Sequence, residues 1–274
     1  MRLRHRAGEA RAQVSVSIAD RYDAFLLDLD GVLFRGDQPI PWAAEAVQRL
    51  RSMGRSIVFV TNNSARTPEQ VAEHLQTVGV QAAPAEVETS ALTTASVLAD
   101  RGVRRALVVG EAGLRSALEA VGITLVEASP APDVVVVGWD RGVDYERLRT
   151  AAVAVQRGAA LVASNPDTSY PAPDGTRWPG AGAILAAIEA TCEVRAEIIG
   201  KPYAPIFEAA LRRAGGGTPL VVGDRLDTDI EGAARLSWAS MLVLTGISTE
   251  DEAAAGVVHP TFVAQDLRGL FAAG

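Results

Sequence analysis

Short runs rich in Val, Ile and Leu alternate with helical patterns along almost the whole chain, and this alternation constrains the fold most strongly. The runs predict strands at 24–29, 56–60, 105–109, 133–137, 160–163, 197–200, 219–223, 240–244 and 261–263. The intervening patterns predict helices near 42–53, 68–78, 111–121, 144–157, 181–191, 203–214, 228–236 and 265–272. Because strands that alternate with helices form βαβ units, we expect an α/β protein with a Rossmann-like, doubly wound parallel sheet.

Two segments interrupt this alternation, and we interpret them as linkers. Pro and Gly accumulate without apolar periodicity around Pro84 and again over 165–183. A chain of 274 residues is long enough for two domains. We therefore expect an N-terminal tail at 1–19, a core domain formed by 20–83 and 181–274, and an inserted α/β module at 84–180.

The charge and composition argue against several classes of protein. A formal net charge of −7 disfavours general binding to nucleic acid or to an anionic membrane. No stretch approaches the roughly 20 uninterrupted apolar residues that a membrane helix needs. The basic start, MRLRHRAGEAR, is followed by no apolar signal-peptide core. Because Cys192 is the single cysteine, an intramolecular disulfide is excluded, and we predict a soluble, cytoplasmic protein.

The stretch AFLLDLDG places two carboxylates at the end of a buried strand. Asp28 and Asp30 are two residues apart, so both side chains leave the strand on the same side, and Gly31 permits a sharp turn. Carboxylates this close repel each other unless a cation, a shared proton or hydrogen-bond donors compensate. An aspartate that caps a turn before glycine explains the bare pattern equally well.

The strand SIVFV leads directly into the polar segment TNNS at 61–64. Its hydroxyl, amide and backbone donors suit an anionic oxygen, although an ordinary polar turn has the same composition. The strand EIIG leads to Lys201, which could hold a phosphate or be a surface lysine.

The segment LVVGDRLDTDI carries three acidic residues before a helix: Asp224, Asp227 and Asp229. Helix capping explains one of them but not three, and oxygen ligands of this kind suit Mg²⁺. Parallel strands bring their carboxyl ends to one edge of the sheet. The four polar segments together therefore predict one site.

In chain order, DLDGV, TNN, GKP and GDRLDTD match the four signature motifs of the haloacid dehalogenase-like hydrolase superfamily, which this chain resembles. The long insert between the second and third motifs resembles the branch with a type-2 α/β cap. That branch includes 4-nitrophenylphosphatases and phosphoglycolate, glycerol-3-phosphate and pyridoxal phosphatases. The resemblance implies a Mg²⁺-dependent phosphatase that hydrolyses a small phosphate monoester through an aspartyl-phosphate intermediate. Candidate substrates are glycerol 3-phosphate, phosphoglycolate, pyridoxal phosphate and 4-nitrophenyl phosphate.

The resemblance also implies a role for each matched residue. Asp28 would be the nucleophile, Asp30 the general acid–base, and Lys201 the cation that offsets charge on the nucleophile and phosphate. Substrate oxygens would be held by Thr61, Asn62, Asn63 and Lys201. Mg²⁺ would bind Asp28, the backbone carbonyl of Asp30, and Asp224, with Asp229 in the outer shell and Asp227 as a further candidate.

The inserted module would close over the phosphate and contact the leaving group. The candidate contacts are Trp139, Asp140, Asn165, Asp167, Tyr170 and Arg177, with packing or a solvated loop as the alternative for each. By the same resemblance, a homodimer through the cap is expected.

Three other functions remain alternatives at this point. A receiver-like signalling switch also accepts phosphate on an aspartate, but it would stall after one transfer. A catalytically silent relative would act only as a binding protein. The glycine-containing stretches VVGEAGL and PGAGA prompt a dinucleotide-binding protein, but neither completes the G-x-G-x-x-G pattern after the first strand.

Overall fold

The structure, a computed structural model, describes residues 16–171 and 176–272. Two parallel sheets organise these residues. The core sheet contains β1 (Ala24–Leu27), β4 (Ser56–Thr61), β5 (Val87–Thr89), β13 (Pro219–Gly223), β14 (Ala239–Val243) and β15 (Phe262–Ala264), in the order β15-β14-β13-β1-β4-β5. The cap sheet contains β6 (Arg105–Val109), β7 (Thr124–Leu125), β8 (Val134–Val137), β9 (Ala160–Ala163) and β12 (Glu197–Ile198), in the order β12-β9-β8-β6-β7.

Two short antiparallel hairpins complete the strands: β2 (Phe34–Arg35) with β3 (Gln38–Pro39), and β10 (Ser169–Pro171) with β11 (Arg177–Pro179). The α-helices of the described residues are α1 (Ala43–Ser52), α2 (Pro68–Thr77), α3 (Ser90–Asp100), α4 (Ala112–Ala120), α5 (Tyr145–Gln156), α6 (Ala181–Cys192), α7 (Ala204–Arg213), α8 (Glu231–Arg235) and α9 (Glu250–Ala255). Within these ranges, no helix combines the length and the apolar character needed to cross a bilayer.

The predicted α/β class is confirmed, and the reason is visible in β1. This strand lies between β13 and β4, and all four of its residues are buried. Phe25 and Leu27 face one apolar cluster, while Leu26 faces a second cluster with Ile206 and Phe207 of α7. A strand that is buried on both faces has a continuous run of apolar residues in its sequence, and β1 has such a run.

The start of α2 also follows its prediction. Thr67 is the N-cap residue, and its hydroxyl oxygen accepts a hydrogen bond from the Gln70 backbone N–H at 3.4 Å. The Gln70 side chain accepts one from the Thr67 backbone N–H at 3.0 Å, and Pro68 occupies the first helical position. This capping box fixes where the chain turns away from the end of β4.

The predicted insert at 84–180 needs correction at both ends. β5 pairs in parallel with β4, so residues 87–89 complete the core sheet. α6 contributes Ile184, Leu185 and Ile188 to the apolar cluster of the cap sheet, and β12 pairs with β9. The cap therefore extends to β12, because ladder hydrogen bonds and burial, and not Pro and Gly content, decide which sheet a segment joins.

Two further differences concern segments with weak sequence signals. Of the predicted tail at 1–19, residues 1–15 lie outside the described residues, but Ile18 and Ala19 are buried in the core cluster. α3 was not predicted, because its sequence SALTTASVLAD is rich in Ser and Thr, which are poor helix formers. It is capped by the Thr89 hydroxyl, which accepts a hydrogen bond from the Leu92 backbone N–H at 3.1 Å.

Candidate active site

The four polar segments meet at the carboxyl edge of the core sheet. Asp28 follows β1 directly, and its backbone N–H donates to the Val222 carbonyl of β13 at 2.9 Å. The chain then turns at Gly31, whose φ of 79° lies in the left-handed region that glycine adopts at little cost. The two-residue spacing thus delivers Asp28 and Asp30 to one rim.

Lys201 lies between two of the predicted acidic residues. Its Nζ donates to Asp28 Oδ1 at 2.6 Å and to Asp229 Oδ1 at 2.7 Å. The lysine is only 3% exposed. Burial by itself lowers the pKa of Lys201, but attraction to Asp229 and Asp28 outweighs it, so the net pKa lies above the ordinary value. A permanent positive charge therefore sits beside the Asp28 carboxylate.

Asp28, Asp224 and Asp229 form a carboxylate cluster whose candidate ligand atoms all lie within 4.8 Å of one another. Asp224 Oδ2 accepts a hydrogen bond from the Ile247 backbone N–H at 2.8 Å. Asp224 Oδ1 is buried and has no hydrogen-bond partner among residues 16–171 and 176–272. Burial, with repulsion from Asp229 second, raises the pKa of Asp224 to about 6. Burial likewise raises the pKa of Asp28, although Lys201 opposes that effect.

This donor set fits a divalent cation. A buried carboxylate oxygen without a partner is costly, and Mg²⁺ takes one or two carboxylates together with water and phosphate oxygens. Two glycines leave the Asp224 carboxylate room to approach, because a Cβ on either Gly31 or Gly246 would overlap it. The cluster and the close backbone approach together suit a small hard ion.

Asp30 differs from Asp28 in its surroundings. It is partly buried and forms an isolated bridge with Phe34, beside the hairpin formed by β2 and β3. Burial raises the pKa of Asp30 to about 6, with Arg66 and then Lys201 acting in the opposite direction. A carboxyl group with a pKa near neutrality can both donate and accept a proton. Arg66 was not singled out from the sequence, although it follows the TNNS segment closely.

The three residues of the TNN segment make different hydrogen bonds. Thr61 Oγ1 accepts a hydrogen bond from the Asn63 backbone N–H at 3.1 Å, which leaves the hydroxyl hydrogen of Thr61 able to donate. Asn63 Oδ1 accepts one from the Ala65 N–H at 2.9 Å and so shapes the turn. The Asn62 amide is occupied, because its Oδ1 accepts from the Lys201 N–H at 2.8 Å and its Nδ2 donates to the Lys201 carbonyl at 3.1 Å. The side-chain amide of Asn62 therefore binds the Lys201 backbone, and a role of Asn62 in substrate binding stays a prediction.

Asp227 and Asp229 differ in their burial and in their hydrogen-bond partners. Asp229 is 1% exposed, and its Oδ2 accepts a hydrogen bond from the Thr228 hydroxyl at 3.1 Å. Asp227 is exposed and pairs with Arg225 at 2.7 and 2.9 Å, and this hydrogen bonding holds the pKa of Asp227 below its ordinary value. Asp229 therefore lies within the cluster, whereas Asp227 points to its arginine partner.

The cap residues also sort into two groups. Trp139 packs against Tyr170 with ring centroids 4.5 Å apart, and its Nε1 donates to the Pro179 carbonyl at 3.1 Å. Burial, and then the charge of Asp30, raise the pKa of Tyr170. Arg177 lies on exposed β11.

Two predicted cap contacts have structural partners instead. Asp140 is 4% exposed, binds Arg147 Nη1 at 2.7 Å and accepts from the Gly142 N–H at 2.9 Å, all within the cap. Asn165 Nδ2 donates to the Asn62 carbonyl at 2.7 Å, and its Oδ1 accepts from the Asp167 N–H at 3.1 Å. Both side chains have partners within the protein, and their role as substrate contacts stays a prediction.

Comparisons with known proteins agree with this geometry. Residues 25–124 match a family model described as haloacid dehalogenase-like hydrolase, and residues 198–270 match a related hydrolase-like model. D-glycerol 3-phosphate phosphatase of Mycobacterium tuberculosis is 38% identical over 259 residues, covering 93% of this chain and 72% of the relative. Acid sugar phosphatase of Staphylococcus aureus is 36% identical over 255 residues, covering 92% of this chain and 98% of the relative.

Solved structures give the same result. The crystal structure of the Mycobacterium tuberculosis glycerol phosphate phosphatase in complex with magnesium superimposes with a TM-score of 0.88 at 38% identity. The superposition covers 93% of this chain and 78% of the other. The likeness therefore extends over both the core and the cap.

Proposed function

The chain belongs to the haloacid dehalogenase-like hydrolase family, and its similarity to phosphatases over most of its length makes it a Mg²⁺-dependent phosphomonoesterase; we propose that it hydrolyses small phosphate monoesters through Asp28. One observation carries the proposal most directly. The Asp28 carboxylate contacts the Lys201 ammonium beside the partnerless oxygen of Asp224, at the edge where α/β sheets bind ligands.

The first step is attack on phosphorus by a carboxylate oxygen of Asp28. A bond forms between that oxygen and phosphorus while the bond from phosphorus to the ester oxygen breaks, and Asp30 gives its proton to the departing alkoxide. In the second step Asp30 takes a proton from a water molecule, whose oxygen attacks phosphorus and releases Asp28 and inorganic phosphate. The raised pKa of Asp30, about 6, suits a group that must reverse its role in this way.

Charge balance explains why the site needs a cation besides Lys201. Three clustered carboxylates face one lysine, and the substrate brings a further negative charge. When bound, Mg²⁺ supplies the positive charge that lets this pocket accept an anion. Asp28, Asp224 and the carbonyl of Asp30 would hold the ion, and Asp229, whose Oδ1 accepts a hydrogen bond from Lys201, would lie in the outer shell.

Non-reacting phosphate oxygens have donors close at hand. Thr61 retains a hydroxyl hydrogen, and Lys201 already faces the nucleophile. Asn63 would contribute its side-chain Nδ2, since its N–H already donates to Thr61 Oγ1 and its Oδ1 accepts from the Ala65 N–H. In the proposed reaction these donors would stabilise the charge that develops on the phosphoryl oxygens in the transition state, where electrostatic stabilisation contributes most.

The substrate we propose is a small polyol or sugar phosphate. Relatives named D-glycerol 3-phosphate phosphatase and acid sugar phosphatase support it, and the packed rings of Trp139 and Tyr170 are our candidate contacts for the leaving group. Phosphoglycolate, pyridoxal phosphate and 4-nitrophenyl phosphate stay as further candidates. We place the reaction in the cytoplasm, where the single cysteine fits reducing conditions, and a homodimer through the cap stays a prediction.

The test is a panel of phosphate monoesters incubated with the full chain and Mg²⁺, with release of inorganic phosphate as the measurement. We expect many turnovers per molecule on at least one ester, none with Asp28→Asn, and silence under a chelator that added Mg²⁺ reverses. Phosphate incorporated once per molecule, without turnover, would instead favour a receiver-like switch. No release from any ester would reject the proposal.

A further inference from the structure

Lys201 reaches the core site from the cap sheet. β12, just before it, pairs with β9, and this ladder continues as the Ile199 N–H donates to the Ala163 carbonyl at 3.1 Å. The Gly200 N–H then donates to the Ser164 carbonyl at 2.9 Å. The backbone leading into the lysine is therefore held by the cap, while its ammonium contacts Asp28 of the core.

Asn62 joins these two bodies through both its backbone and its side chain. Its carbonyl accepts hydrogen bonds from Asn165 Nδ2 of the cap and from the Ser90 hydroxyl, both at 2.7 Å. Its side-chain amide pairs with the backbone N–H and carbonyl of Lys201 at 2.8 and 3.1 Å. The amide thus sets where the backbone of the catalytic lysine lies relative to the TNN segment.

The side-chain amide of Asn62 can form these two hydrogen bonds in only one of its two orientations. Its oxygen must face the Lys201 N–H and its nitrogen the Lys201 carbonyl, since the reverse would oppose donor to donor. The second hydrogen of Asn62 Nδ2 points to Asp167 Oδ2 at 3.1 Å. An ionised carboxylate only accepts hydrogen bonds, so Asp167 excludes the reversed orientation, in which Oδ1 would face it.

We propose that Asp167 of the cap is a positioning residue, which holds the Asn62 amide in the orientation that places Lys201 against Asp28. Asp167 is itself held in place, because its backbone N–H donates to Asn165 Oδ1 at 3.1 Å and its carbonyl accepts from the Gly182 N–H at 2.8 Å. The segment from Asn165 to Asp167 therefore acts from the cap on the catalytic lysine without contacting phosphorus.

The experiment compares Asp167→Ala and Asp167→Asn with the wild type in 4-nitrophenyl phosphate hydrolysis, and it rests on the proposed function. A misplaced lysine weakens stabilisation of the transition state more than substrate binding. We expect kcat to fall about 10- to 100-fold with KM within about threefold for Asp167→Ala, and a smaller fall for Asp167→Asn. The control is Asp133→Asn, because Asp133 also accepts backbone hydrogen bonds within the cap, from Arg104 and Arg105, and should leave kcat unchanged.

A double-mutant cycle separates this role from direct substrate contact. If Asp167 acts only through Asn62, then Asp167→Ala should cost little extra kcat in a chain that already carries Asn62→Ala. Additive losses would overturn the proposal, and so would a rise in KM with unchanged kcat. Retention of wild-type kcat in Asp167→Ala would overturn it as well.

Amide hydrogen exchange at Lys201 gives a readout that needs no enzyme activity. Its N–H is buried and donates to Asn62 Oδ1, so Asp167→Ala should accelerate exchange there and Asp133→Asn should not. Unchanged exchange at Lys201 would overturn the proposal. Faster exchange in a protein without phosphatase activity would reject the proposed function while supporting the connection from Asp167 through Asn62 to Lys201.

Discussion

The ammonium of Lys201 lies 2.6 Å from a carboxylate oxygen of Asp28, although the strands that precede these two residues belong to different sheets. Asp28 follows the central strand of the core sheet, whereas Lys201 follows the edge strand of the cap sheet. Closing the site therefore requires the two sheets to be assembled correctly. This contact therefore serves the proposed chemistry and also links the cap to the core.

Asp28→Asn should abolish turnover, with a loss on the order of 10⁴-fold or more, since an amide is a poor nucleophile and the group acts in both chemical steps. The fold should survive because the two side chains have nearly the same shape. Phosphate release and circular dichroism measure the two effects. Asp227→Asn is the matched control, since Asp227 is exposed and pairs with Arg225, and it should keep near wild-type activity. Equal activity in both variants would reject Asp28 as the nucleophile.

Gly31→Ala should weaken Mg²⁺ binding and destabilise the protein. The residue has a φ of 79°, and a Cβ there would overlap the Asp224 carboxylate, so we expect a loss of about 3 kcal/mol or more. Gly54→Ala has a similar φ of 73° but open space around it, so only the backbone cost of about 1 kcal/mol should appear. Chemical denaturation and Mg²⁺ titration of activity distinguish the two. A normal Mg²⁺ requirement in Gly31→Ala would contradict the crowding at Asp224.

In the metal-free protein, Asp224 should make stability fall as the pH rises. Its pKa is about 6 in the folded protein against an ordinary 3.8, so the folded state retains a proton that the unfolded chain has released. The contribution of Asp224 to the free energy of unfolding is fully present when the pH is below the ordinary pKa of 3.8, and it is lost as the pH rises through about 6. The total loss is about 3 kcal/mol at most.

The measurement is the free energy of unfolding in a chelator, compared between the wild type and Asp224→Asn from about pH 4 to about pH 8. As the pH rises, the free energy of unfolding of Asp224→Asn should increase relative to that of the wild type. Saturating Mg²⁺ should reduce this difference. Parallel profiles for the two proteins would show that Asp224 does not carry this cost.

The ion pair between the buried Glu88 carboxylate and the partly exposed Arg213 should contribute more to stability than an exposed pair of similar length. Glu88 is 3% exposed and accepts from Arg213 Nε at 2.7 Å and from the Thr93 hydroxyl at 2.7 Å. Arg213→Met would leave this carboxylate buried without its cation, at a cost of about 2 kcal/mol, which is below the value for a fully buried pair because Arg213 is partly exposed. Arg101→Met removes an exposed pair with Glu197 at 2.6 Å and should cost less than about 1 kcal/mol. Similar losses measured by urea denaturation would refute this distinction.

The sequence predicted most elements of the fold because their signals are local. The buried run of β1 and the capping box of α2 each depend on residues that are neighbours in the chain. α3 was missed because its Ser and Thr residues suggest no helix, and they are accommodated only by burial between other elements. β12 was assigned to the wrong sheet for a related reason, since two residues cannot specify which edge they join.

By itself the sequence determined that acidic, amide and cationic residues follow strands of a parallel sheet, because strand pattern and residue spacing are local properties. Only the tertiary structure decided the partner of each side chain. Asp227 pairs with Arg225, Asp229 pairs with Lys201, and the side-chain amide of Asn62 binds the backbone of Lys201. The physical reason is that a hydrogen-bonding group buried during folding takes the nearest complementary partner, and that partner is often remote in the chain.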